Sequence, residues 1–65
     1  MTESSLRPGD VIRTRRVALG ITQDALAEQV GVNKATISRI ERGYDGGWMN
    51  IVALLQAVGA EVIVR

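Results

Sequence analysis

Between Asn33 and Tyr44 the chain reads "NKATISRIERGY", in which Lys34, Arg39 and Arg42 stand among Asn33, Ala35, Thr36, Ser38 and Tyr44, and Glu41 is the single acid. Wound at 3.6 residues per turn, this stretch sends Ile37, Ile40 and Glu41 to one side. Ala35, Ser38, Arg39 and Arg42 fall on the other, beside Lys34. The second face offers cations and neutral hydrogen-bonding groups and excludes carboxylates. It suits a polyanion lined with acceptor edges, which describes the major groove of double-stranded DNA. A solvated helix face is the plainer reading of the same residues, and charge alone does not choose between the two.

Other chemistry is thinly supplied. The sequence has no Cys and no His, so disulfides, thiolate or imidazole metal sites and Ser/His/Asp triads are excluded. Its seven carboxylates are scattered without a spacing that organises acid–base work. We therefore expect no enzyme, no metal and no cofactor. No apolar window approaches the ~20 residues that span a bilayer, and no signal-like apolar stretch opens the chain, so a cytoplasmic protein without a membrane partner is expected. Eight Lys and Arg against seven Asp and Glu leave a net charge of +1. Bulk charge thus gives no argument for a polyanionic partner; its distribution does.

The 65 residues allow one domain, of a size that buries only about 60% of the unfolded chain's surface and often gains stability by pairing with a copy of itself. Residues 1–6 carry no periodic pattern and read as a flexible arm. Residues 7–59 read as four helices. The first opens near Pro8, with Asp10 at the positive end of its dipole, turns Ile12, Arg16 and Leu19 inward, and ends at Gly20. Thr22 can cap the second, which carries Leu26 and Val30 to Gly31. Asn33 can cap the third, which ends at Gly43. Ile51, Leu54, Leu55 and Val58 mark the inner stripe of a fourth that stops at Gly59, with Trp48 and Met49 assigned to packing. Residues 60–65, "AEVIVR", change pattern: Val62, Ile63 and Val64 are β-branched and read as a short C-terminal strand. A lone strand has unpaired backbone groups, so it is expected to pair with a second copy across a two-fold axis. A frayed tail or an extension packed on the helices is the alternative.

Gly31 explains how the helical pieces relate. A glycine inside one long helix costs about 1 kcal/mol against alanine, whereas a glycine at a corner costs nothing. Two helices of about two turns joined around it make a helix-turn-helix whose second helix is presented outward. The stretch "ITQDALAEQVGVNKATISRIERG" closely resembles the Xre/Cro-type phage-repressor helix-turn-helix family in Ile21, Thr22-Gln23, Leu26-Ala27, Gly31, Thr36-Ile37-Ser38 and Glu41-Arg42-Gly43. "IRTRRVALG" before it looks like that family's first helix.

The resemblance implies an all-α, lambda-repressor-like domain and a DNA-binding regulator, a repressor acting as a homodimer on a palindromic operator. It implies that Thr22, Gln23 and Thr36 hold phosphates, that Asn33, Lys34, Ala35, Ser38 and Arg39 face base edges, and that Arg42 and Tyr44 grip the backbone. It also implies an ion pair between Arg16 and Glu41 that ties the first helix to the third. The ending "LLQAVGAEVIVR" is similar to HipB-like antitoxins, which implies the antitoxin of a toxin–antitoxin pair with a kinase-like toxin as partner. The competing expectation is a protein-interaction module that docks a partner without binding DNA.

Overall fold

The computed structural model describes residues 7–60. They form α1 (Pro8–Ala18), α2 (Gln23–Val30), α3 (Lys34–Glu41) and α4 (Trp48–Ala57), with no strand among the described residues. The arm expected at residues 1–6 and the pairing strand expected at Val62, Ile63 and Val64 lie outside them.

Each helix begins and ends for local reasons. Pro8 sits in the first turn of α1, and the Arg7 N–H donates to the Asp10 carboxylate at 3.2 Å. The Thr22 side chain caps α2 by accepting from the Ala25 N–H at 3.0 Å. Gly31 ends α2 at φ 87°, a left-handed conformation open to glycine and costly to other residues.

Asn33 holds the cap position of α3 with extended backbone but makes no side-chain cap bond. Asn33 is thus the cap residue the sequence points to, without the side-chain bond. The first-turn N–H groups of Thr36 and Ile37 instead find the Asn33 carbonyl, which leaves the Asn33 amide exposed and unused.

One core holds the helices together. Ile12, Leu26, Ala27, Ile37, Ile40, Leu54 and Val58 are buried, with Ile21, Val30, Val32, Ile51 and Leu55 packed around them. Both α1 and α2 pack on α3 and on α4. Closure of α1 on α3 depends on Gly9, where a Cβ would fall on the carbonyl oxygen of Ile40.

Three expected core residues lie outside. Leu19 is 56% exposed because α1 stops at Ala18 and the chain turns away before the stripe reaches it. Trp48 and Met49 are 56% and 76% exposed. Both occupy the first turn of α4, where side chains lean toward the helix N-terminus and so project past the core. The glycine pair before them, Gly46 and Gly47, supplies no side chain to cover them.

Candidate nucleic-acid interface

The turn at residues 31–33 sets α3 across α2 with its apolar side inward. Small, buried Ala27 on α2 permits the close approach. Ile37 and Ile40 enter the core, and Glu41 enters with them at 9% exposure. A buried carboxylate has to be answered. Arg16 of α1 donates from Nε to Glu41 Oε2 at 2.7 Å and from a terminal nitrogen to Oε1 at 3.1 Å. Its other terminal nitrogen reaches the Ile21 carbonyl at 2.8 Å.

Gln23, the first residue of α2, donates its amide to Glu41 Oε1 at 3.0 Å. One carboxylate thus joins three helices. Its hydrogen bond is the largest influence raising the Arg16 guanidinium above its ordinary value; burial opposes it and the coulombic attraction of Glu41 adds to it.

With Glu41 turned in, the exposed side of α3 and its two caps carries Asn33, Lys34, Ala35, Arg39 and Arg42. Thr36 and Ser38 are half-buried at its margins. Tyr44 stands 61% exposed beyond the helix end, its ring facing Arg39 and Arg42. The model of the helix-turn-helix family matches residues 12–46, from the first core isoleucine of α1 to the loop after α3. The chain belongs to this family. A protein of Methanothermobacter thermautotrophicus, described as an uncharacterized HTH-type transcriptional regulator, is 41% identical over 54 residues, which are 82% of this chain and 78% of that one.

The helix-turn-helix brings together most of the residues singled out in the sequence, with differences. The Gln23 amide is engaged by Glu41, so only part of its hydrogen-bonding capacity is left for a phosphate. The Thr22 oxygen is likewise occupied as a cap, leaving its hydroxyl proton to donate. Lys34 approaches the Asp24 carboxylate of α2 at 3.7 Å, with both side chains largely exposed. The carboxylate-free surface therefore belongs to α3 and does not extend over the neighbouring helix.

A cleft of about 330 Å³ beside the start of α2 is lined by Arg13, Gln23, Ser38, Glu41 and Arg42. Arg13 is exposed there and is not singled out by the sequence. Its place three residues before Arg16 on α1 is the one signal the sequence offers. With Arg13 and Arg42 at its rim and the first turn of α2 opening beside it, the helix-turn-helix presents donors suited to an anionic oxygen. Among the described residues no group of acids could hold a metal ion, and no helix is long and apolar enough to cross a membrane.

Proposed function

We propose that this chain is a non-enzymatic, sequence-specific DNA-binding transcriptional regulator that lays α3 in the major groove. The observation that carries the reading is the inward turn of Glu41: the only acid of α3 is buried and paired, so the outer face of α3 and its C-cap presents three cations and no carboxylate. Lys34 and Arg39 are the base readers, each able to donate to guanine O6 and N7, with Asn33, Ala35 and Ser38 beside them. Arg13 and Arg42, the first turn of α2 and the hydroxyls of Thr22 and Thr36 take phosphates and set the register. Membership of the helix-turn-helix family and the transcriptional-regulator description of the archaeal relative support the same reading.

Acting as a homodimer, the protein would read a palindrome with its two recognition helices about 34 Å apart. The Val62, Ile63 and Val64 segment is the proposed pairing element. Within this reading the chain is the antitoxin of a toxin–antitoxin pair, autoregulating its operon with a kinase-like toxin bound. The helix–glycine–β-branched order of its C-terminal residues supports that role, and the neighbouring reading frame tests it.

Selection of bound sequences from random DNA, followed by titration of the winning site against salt, tests the whole proposal. The expected result is a symmetric site whose log affinity falls linearly with log salt. Exposed Trp48 and Met49 favour a second reading, a module that docks a partner protein. Retention of a partner with no salt-dependent DNA binding would select it.

A further inference from the structure

The family resemblance implies that Tyr44 grips the DNA backbone, with a core-edge aromatic as the plainer reading, but its surroundings give the ring a different task. It is the third residue past the end of α3, the second after the C-cap Arg42, in a Schellman turn: the Gly43 N–H donates to the Ile40 carbonyl at 3.0 Å and the Tyr44 N–H to the Arg39 carbonyl at 2.9 Å. Gly43 makes the turn at φ 98°. This pairing fixes the Tyr44 Cα over the last turn of the helix and lays the ring across it. The guanidinium carbons of Arg39 and Arg42 each lie 5.9 Å from the ring centroid.

Arg39 and Arg42 are three residues apart on one helix face, where like charges repel. Free, each would spread over many rotamers. A shared aromatic ring attracts both guanidiniums and offsets the repulsion between them. Arg42 is restrained further by donating from Nε to the Ser38 carbonyl at 3.3 Å. The C-terminal end of α3 therefore presents two arginines whose directions are set before any ligand arrives.

We infer that Tyr44 is a positioning residue for DNA recognition, acting through its ring face on Arg39 and Arg42 and not through its hydroxyl. This rests on the DNA-binding reading above. Ordering an arginine in advance lowers the entropy lost when it contacts a base, so the ring contributes affinity and discrimination at the base pair that Arg39 reads. Because the side chain is mostly exposed, its removal leaves the fold intact.

The test compares Tyr44→Phe, which keeps the ring, with Tyr44→Leu, which does not. First, in the protein without DNA, side-chain proton resonances of Arg39 and Arg42 are expected to carry a ring-current shift that survives in Tyr44→Phe and vanishes in Tyr44→Leu. Second, on the selected site, Tyr44→Phe is expected to match the parent, while Tyr44→Leu loses about two- to five-fold in affinity per protomer, the equivalent of an exposed cation–π contact. Third, Tyr44→Leu is expected to cost less when Arg39 is already alanine than when it is present.

The inference is overturned if Tyr44→Phe loses as much as Tyr44→Leu, since the hydroxyl is then the contact, or if the Arg39 and Tyr44 effects are independent. It is equally overturned if the arginine resonances do not respond to loss of the ring. Failure of the parent protein to bind any DNA sinks the broader reading instead, and the ring-current experiment still reports on the stack by itself.

Discussion

Removing Glu41 should be far more damaging than removing Glu41 and Arg16 together. The side chains of the pair, Arg16 and Glu41, are 12% and 4% exposed, which puts them outside the surface regime, where an ion pair is worth about 0–1 kcal/mol. Glu41→Ala leaves the largely buried Arg16 side chain without its counter-charge and strips the Gln23 amide of its acceptor. Losing one partner of a buried pair costs about 3–5 kcal/mol. A domain of 65 residues has about 3–10 kcal/mol in total at ~0.05–0.15 per residue. The single variant is therefore expected near or below the threshold of folding.

In Arg16→Met/Glu41→Leu no charge is stranded. Its cost is the loss of partners for the Ile21 carbonyl and the Gln23 amide, both half-buried and able to reach water, or about 1–3 kcal/mol. Urea unfolding followed by helical circular dichroism measures the parent, Arg16→Met, Glu41→Ala and the double variant. Protomer concentration is held fixed, because any self-association adds to stability by mass action. The expected order is parent, double variant, then either single variant. A double variant as unstable as the two single losses summed, or a single loss below about 1 kcal/mol, would refute the reasoning.

Gly9→Ala should lower stability in urea unfolding by about 1–3 kcal/mol, since the new methyl meets the Ile40 backbone and α1 must lift from α3. Gly31→Ala has open space around the added carbon, so its cost should be the backbone one alone, about 1–2 kcal/mol for φ 87°, with Gly31→Asn losing less. In DNA binding, Lys34→Ala and Arg39→Ala should each relax preference at one base pair by about 1–3 kcal/mol, measured on single-base variants of the selected site. Arg42→Ala should weaken all sequences alike and flatten the salt slope by about 0.9 for each phosphate left without its cation.

Much of this arrangement is legible in the sequence because helical periodicity is a statement about sides. The 3.6-residue spacing puts Ile37, Ile40 and Glu41 inward, and all three are buried. Thr22 and Gly31 act at the ends of α2 through their own local chemistry, and they are legible for that reason. Periodicity says nothing about where along its axis a helix runs out of neighbours. Leu19 and Trp48 each continue an apolar stripe, one just past the end of α1 and the other at the first residue of α4, and both are exposed. Interactions between helices are hidden for a further reason: the Asp24 carboxylate near Lys34, the Gln23 amide on Glu41 and the approach of Gly9 to Ile40 depend on crossing geometry. No single element encodes it.

A net charge of +1 is compatible with a cationic outer face on α3 because the one acid of that helix does not subtract from it, although Asp24 of α2 stands beside Lys34. Glu41 belongs to α3 by sequence, and on the outer side of that helix it would oppose any polyanion. It also lies in the last turn, where the helix dipole disfavours an anion. Turned inward, it removes the only acid from the face of α3 and meets Arg16, whose five donors fit a carboxylate and a carbonyl at once. An apolar pair could fill the same space at a cost of about 1–3 kcal/mol, but without the hydrogen bonds that tie three helices to one carboxylate. The ion pair holds α1, the start of α2 and the end of α3 to one point, so the acid that would weaken the outer face becomes the element that orients it.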